Sequence, residues 1–270
     1  MGRVQDKVAF ITGAARGQGR SHAVRLAEEG ADIIAIDLCA PVRGVSYAAA
    51  TAEDLASTVK AVEATGRRII ARQADVRDTA ALRAAVDDGV AEFGRLDIVV
   101  ANAGICIMRA WQDVTPEIWQ DTLDVNLTGS WNTVMVSADH LIAGGGGSVI
   151  ITSSVAGLKA IPFMVPYVAS KHGLTGIARA FAHELAQHHI RVNSVHPTGV
   201  DTAMGGGDGA QTIGDAIAAN PRLGGMFTNS LPVDFTDVGD ISNAVLFLAS
   251  DESRYVTALA MTVDAGNSQY

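Results

Sequence analysis

Residues 12–19 read Thr-Gly-Ala-Ala-Arg-Gly-Gln-Gly, and they follow without a break on the apolar run KVAFIT that begins at Lys7. Helical sequence starts immediately afterwards. Gly13, Gly17 and Gly19 permit positive φ and let the backbone come close to a ligand, and the unpaired N–H groups of a helix N-terminus favour a pyrophosphate. A strand-to-helix turn can carry the same glycines with no ligand at all, so the reading depends on what surrounds them.

Working outward, seven runs share the character of KVAFIT: it is followed by DIIAID, RIIARQADV, LDIVVANAG, GSVIITSS, IRVNSVHP and ALAMTVDAG. Near-continuous apolar stretches mark strands covered on both faces. Helical periodicity lies between them, near 20–29, 52–64, 79–93, 116–141, 168–187 and 238–248. This alternation predicts an α/β fold: one Rossmann-like, doubly wound parallel sheet of seven strands with helices on both faces. We expect residues 1–270 to form a single domain, a size at which one core suffices.

Two connections exceed the usual length of such turns. One is the extended loop 38–50 (LCAPVRGVSYAAA), and the other is 198–237, glycine-rich around MGGGDG, which we expect to act as a substrate lid. The glycines at 144–147 are explained by helix termination and a turn.

Strand two ends at Asp37, 18 residues beyond Gly19, where a dinucleotide fold places the acid that binds the adenosine ribose. A carboxylate there accepts from ribose hydroxyls and repels a 2′-phosphate, which favours NAD over NADP. Arg16 could reach a 2′-phosphate and argues the other way, and a turn role for Asp37 is the alternative.

Ser154 closes a strand, while Tyr167 and Lys171 stand at i and i+4 of a helix, hence on one face. A free tyrosine titrates near pH ~10 and is a poor base at neutrality, but a neighbouring cation lowers it. Lys171 is placed to be that cation.

At these positions the chain resembles the single-domain short-chain dehydrogenases/reductases. The resemblance rests on TGAARGQG, Asp75-Val76, Asn102-Ala103-Gly104, Asn126, the Ser154, Tyr167 and Lys171 trio, and Pro197-Thr198-Gly199 with Thr202. Gln18 departs from the apolar residue usual between the last two glycines, and Pro197-Thr198-Gly199 from the commoner Pro-Gly. The resemblance implies that Tyr167 transfers the proton, Lys171 tunes it and holds the nicotinamide ribose, and Ser154 binds the substrate oxygen, with Ser153 as competitor. Asn126 would organise a water linking Lys171 to solvent, or cap a helix irregularity. Gly13, Arg16, Gly17, Gln18, Gly19 and Asp37 would hold the dinucleotide. Asp75 and Val76 would flank the adenine, unless Asp75 is a helix cap. Asn102 and Gly104 would border the central cleft, and Pro197, Val200 and Thr202 would contact the nicotinamide half.

Around this site Val155, Ala156, Ile161, Phe163, Met164, Met204 and Met226 are mostly apolar and carry no charge. They suit a hydrophobic secondary alcohol or ketone, cyclic or terpenoid, with Met204 touching substrate. The long loop after Asp37, the GQG tripeptide and the glycine-rich lid further resemble the carveol-dehydrogenase-like, mycofactocin-associated branch. That resemblance implies a tightly retained nicotinamide and a separate redox carrier, and the wider family implies a homotetramer.

Composition closes off other classes. Twenty basic against 29 acidic residues give a net charge of -9, no footprint for nucleic acid. No apolar run approaches membrane-spanning length, and the start lacks a signal-peptide core. Cys39 and Cys106 lack metal-ligand spacing, which points away from zinc or a disulfide framework and towards the cytoplasm. The seven histidines show no metal pattern and are expected to be structural. Two other functions remain open: a nucleotide-sensing or scaffold protein, and a sugar-nucleotide epimerase, though the latter needs a larger substrate domain.

Overall fold

The computed structural model describes residues 2–205 and 208–269. Gly206 and Gly207, in the middle of the MGGGDG stretch, lie outside the described residues. The chain builds one seven-stranded sheet, every neighbouring pair parallel, in the order β3-β2-β1-β4-β5-β6-β7. The strands are β1 (Val8–Thr12), β2 (Asp32–Asp37), β3 (Ile69–Gln73), β4 (Ile98–Ala101), β5 (Gly147–Thr152), β6 (Ile190–Pro197) and β7 (Ala260–Val263). Each apolar run of the sequence supplies one of them, as expected.

The side-chain alternation of the strands feeds two cores. Phe10, Ile34, Ile36, Val99 and Ile151 face one side, under α3 (Thr79–Phe93), α5 (Gly129–Ala143) and α6 (Val165–Glu184). Ile11, Ile33, Ala35, Val100 and Ile150 face the other, under α1 (Gly17–Glu28), α2 (Ala52–Glu63) and α8 (Val238–Ala249). Burial on both faces is why the central strands read as unbroken apolar runs, while the edge strands β3 and β7 are only partly buried. Caps place the helices: Thr51 and Asp237 open α2 and α8 with reciprocal capping boxes, and Asp78 caps α3 through Ala80 N–H and Ala81 N–H.

Two helical expectations need correction. The stretch expected to be one helix from 116 is α4 (Pro116–Leu123), a π-helical turn over Asp124–Thr128, and then α5. The segment 198–237 is not irregular throughout, since it carries α7 (Asp208–Ala219) and a 3-10 segment over Pro221–Phe227.

The strand order reverses between β1 and β4. A crevice therefore opens at their carboxyl ends, the usual place for a ligand in an open α/β sheet.

Candidate active site

One cavity of about 730 Å³ occupies that crevice, and it is lined by residues from both ends of the predicted site, from Asp37, Asp75 and Val76 to Tyr167, Lys171 and Thr202. Gly13, Arg16, Gly17, Gln18, Gly19, Asn102, Gly104, Ser154, Pro197, Val200 and Met204 also line it.

The floor is the turn from β1 into α1. Gly13 and Gly17 take φ of 68° and 54°, which a side chain would disfavour. A methyl group on Gly19 would run into the Gly13 carbonyl oxygen and come within 2.8 Å of Asn102 Nδ2. Asn102 braces the same turn, donating from Nδ2 to the Thr12 carbonyl at 3.0 Å. Arg16 occupies the cap position of α1 without a side-chain cap bond, and the first residues of this helix, Gly17, Gln18 and Gly19, line the cleft. An uncapped helix start cradled by glycines fits a pyrophosphate. The buried Gln18 Oε1, without a hydrogen-bond partner, is a further polar atom at this wall.

At the end of β2, Asp37 accepts from Ala15 N–H and Cys39 N–H, each at 3.0 Å. These two bonds fix its carboxylate at the cavity edge with lone pairs left to offer. Arg16 turns away: its guanidinium donates to the Ala48 carbonyl of the extended loop. The sequence argument for a 2′-phosphate partner therefore weakens. Asp75 is no helix cap either, since Asp78 has that role. Burial pushes the Asp75 carboxyl upward, but hydrogen bonds from Arg77 hold it below its ordinary value.

The catalytic trio converges at the other end. Lys171 is buried and donates from Nζ to the Thr152 carbonyl at 2.8 Å, and Nζ stands 5.3 Å from the centre of the Tyr167 ring. Ser154 Oγ accepts from Ala156 N–H at 3.1 Å, donates to the Pro197 carbonyl at 3.5 Å, and lies close enough to the Tyr167 phenol to favour its ionised form. Ser153 is directed elsewhere, its hydroxyl donating to the Lys171 carbonyl at 2.9 Å.

The electrostatics correct one expectation. Burial drives the Tyr167 phenol upward, and the neighbouring Ser154 hydroxyl pulls it back, whereas the sequence argument assigned the lowering to Lys171. The same burial pushes Lys171 down to about 8, so desolvation works against both charged forms.

Asn126 sits in the π-helical turn and is buried. Its Oδ1 accepts from Ile105 N–H at 2.8 Å, and its Nδ2 donates to the Ile105 carbonyl and to Ser170 Oγ. The side chain thus ties the cleft wall to α6. A methyl group on Gly104 would lie 3.3 Å from Asn126 Oδ1 and 3.7 Å from Lys171 Nζ, so bare glycine keeps that narrow space open.

Beyond Tyr167 the wall is apolar. Cys106, Val155, Ala156, Ile161 and Met164 form a buried cluster, joined by Met108, Met204, Ile213 and Phe227. Phe163 and Met226, which the sequence suggested for this ring, do not line the cavity, and Met108, Ile213 and Phe227 take their place. Cys106 is here because it follows the β4 turn, and burial pushes its thiol up to about 12, so it behaves as a small hydrophobe.

Tyr47 carries no signal in the local sequence. It reaches from the extended loop into the cavity, where its hydroxyl accepts from Cys106 N–H at 3.4 Å. The loop is held elsewhere by an Arg43–Asp121 ion pair at 2.9 Å and by Val42 and Val45 against the core. No cluster of three or more metal-ligating side chains occurs among the described residues, and no helix there is long and apolar enough to cross a membrane.

Comparison with known proteins agrees with this geometry. Residues 7–212 match the sequence profile described as short chain dehydrogenase. The chain is 47% identical to (-)-trans-carveol dehydrogenase of Rhodococcus erythropolis over 99% of each chain. It superposes on a short chain dehydrogenase from Mycobacterium paratuberculosis bound to NAD with a TM-score of 0.98 and 55% identity, covering 100% of both. It matches carveol dehydrogenase from Mycobacterium avium in complex with NAD at a TM-score of 0.93 and 52% identity, again over 100% of both chains.

Proposed function

The chain belongs to the short-chain dehydrogenase family, and from that premise we propose that it oxidises an uncharged, hydrophobic secondary alcohol, cyclic or terpenoid, to its ketone, and can run the reverse reaction. It is an oxidoreductase that uses NAD, the cofactor carried by the two solved relatives. One observation carries the substrate reading: Tyr167 and Ser154 stand in the part of the cavity whose wall is the buried cluster of Cys106, Val155, Ala156, Ile161 and Met164. Such a wall rewards apolar area and offers a charged substrate no partner.

The glycine turn and the open N-terminus of α1 would hold the pyrophosphate. Asp37 would accept from the adenosine ribose, and Asp75 and Val76 would border the adenine. Val200, Thr202 and the backbone at Pro197 would flank the nicotinamide. When bound, NAD supplies the hydride acceptor. Tyr167 takes the alcohol proton as the carbinol is oxidised and returns it in the reduction. Ser154 holds the substrate oxygen against Tyr167 and stabilises charge that develops there. Lys171 would hold the nicotinamide ribose from its buried place beside the phenol. Asn126 fixes the wall behind Lys171 and would seat a water leading to solvent.

We further propose that loop 38–50 acts as a strap over the dinucleotide, that it slows NAD exchange, and that electrons leave to a separate redox carrier. The Arg43–Asp121 pair, the Arg16 bond to Ala48 and the entry of Tyr47 support that reading. Residues 1–270 act as one domain with 198–237 as lid, and exposed Trp119, Trp131 and Met135 support assembly of copies through α4 and α5, a homotetramer by family resemblance.

A panel of carveol, cyclohexanol and charged hydroxy acids, assayed with free NAD and separately with an artificial acceptor, tests the proposal. Turnover of the cyclic alcohols is expected, and preference for the charged acids overturns it. Release of NAD or NADH on denaturing protein that has passed a desalting column is expected, and its absence overturns retention.

A further inference from the structure

We infer that His196 is a positioning residue for Ser154, acting through the serine's backbone from the neighbouring strand. The inference rests on the reading above that Ser154 handles the substrate oxygen. His196 is the penultimate residue of β6 and is fully buried. Its Nδ1 lies 2.8 Å from the Ser154 carbonyl oxygen, and its Nε2 lies 2.8 Å from Ser194 Oγ. A carbonyl only accepts, so Nδ1 must carry the proton, and in the neutral ring Nε2 must then accept from the Ser194 hydroxyl. One tautomer satisfies both bonds.

Burial lowers the imidazole to about 4, and Lys171 and Arg179 push it the same way, against the Ser154 bond and Asp264. The ring therefore stays neutral and keeps its donor directed at Ser154 throughout the neutral range.

The place of this bond gives it a purpose. The β5–β6 register ends at Thr152 opposite Val195, and Ser153 N–H still reaches the Val195 carbonyl at 2.8 Å. Ser154 is the next residue, still extended with φ -172° and ψ 166°, and past the ladder's end. The imidazole carries the tie to β6 one residue further, by a side chain where the backbone no longer reaches. Its own turn holds Ser154 from the other side, since the same carbonyl accepts from Gly157 N–H at 2.9 Å. Both lone pairs of the Ser154 carbonyl are thus engaged, which fixes the peptide that carries the hydroxyl into the cavity beside Tyr167. Misplacement of a reacting group by about 1 Å can cost ~10²-fold in rate.

The test uses the full chain with NAD and carveol, in the variants His196→Leu, His196→Asn, Ser154→Ala and the Ser154→Ala/His196→Leu double. His196→Leu should lower kcat by roughly 10- to 10²-fold with NADH affinity unchanged. His196→Asn, whose amide nitrogen can replace Nδ1, should restore most of it. In the Ser154→Ala background the His196→Leu effect should vanish, because the residue acts only through Ser154. Losses that multiply in the double variant, or an Asn variant as poor as Leu at equal melting temperature, overturn the inference.

A second measurement needs no substrate. The ring nitrogens of His196, read by nitrogen NMR on uniformly labelled wild-type protein, should show Nδ1–H and bare Nε2 at pH 7. The opposite tautomer or an imidazolium overturns the inference. If the wild type turns over none of the cyclic alcohols, the substrate reading falls, whereas the opposite tautomer overturns the His196–Ser154 bond alone.

Discussion

Lys171 Nζ stands 5.3 Å from the centre of the Tyr167 ring, and it donates to the Thr152 carbonyl at the end of β5. The ammonium is therefore held by the strand that delivers Ser153 and Ser154, so one strand end places both the serine and the cation. Tyr167→Phe removes the proton carrier and keeps the ring, and should lower kcat by about 10²- to 10⁴-fold. NADH affinity, followed by fluorescence titration, should change little. Unchanged turnover would reject the assignment.

The depressed Lys171 titration has a consequence for stability. Between about pH 8, its value in the fold, and 10.5, its ordinary value, the unfolded chain binds a proton that the folded chain does not. Stability from this group therefore rises with pH across that window. In chemical denaturation, wild type should gain stability from pH 8 to 10 relative to Lys171→Met. A difference that is flat or falling with pH would contradict the burial of this cation.

At acid pH the same reasoning applies to His22, which burial pushes down to about 3 while its Nδ1 bonds Ser242 Oγ at 2.8 Å. The unfolded imidazole takes a proton near pH 6.5 and the folded one does not, so stability should fall as pH drops from about 6.5 towards 3. His22→Asn should flatten this part of the profile in urea titrations made between pH 7 and 4.

Gly19→Ala should weaken dinucleotide binding without unfolding the protein, because its methyl group would meet the Gly13 carbonyl in the turn that forms the cradle. Isothermal titration with NADH should show at least a tenfold loss of affinity, the scale of a displaced backbone in a binding loop. Binding at wild-type strength would mean that the turn can relax.

Asp121→Ala should loosen the strap. An exposed ion pair such as Arg43–Asp121 is worth little, so NAD dissociation should quicken by only about twofold to fivefold. Tyr47→Phe keeps the ring in the cleft and should matter less than Tyr47→Ala, which opens it. Stopped-flow displacement by excess NADH separates these cases, and identical off-rates in all three variants would remove the strap from the account of retention.

The strands were legible because burial on both faces leaves apolar runs with no polar interruption, as in DIIAID and GSVIIT. The spacing of Tyr167 and Lys171 was equally direct, since helix geometry alone puts i and i+4 together. The π-helical turn was not legible, because Val125 and Leu127 carry apolar character straight through it and periodicity does not register one surplus residue. The helix α7 was hidden for a different reason: the glycines at 205–209 and Gly214 suppress helical propensity around Ile213 and Ile217, whose spacing would otherwise show. Tyr47 and His196 owe their places to contacts with residues 59 and 42 positions away in sequence, and no local pattern encodes such distances.

The surplus residue at Asp124–Thr128 also sets an angular phase for everything after it. Each residue of an α-helix turns its successors by about 100°. Deleting one position there would regularise the helix yet swing Trp131 and Met135 a quarter-turn or more around the barrel of α5, into the layer now filled by Val134 and Val136. The bulge that aims Asn126 inward thus also decides which flank of the molecule is oily, and chain length in this helix cannot drift by one residue without changing both at once.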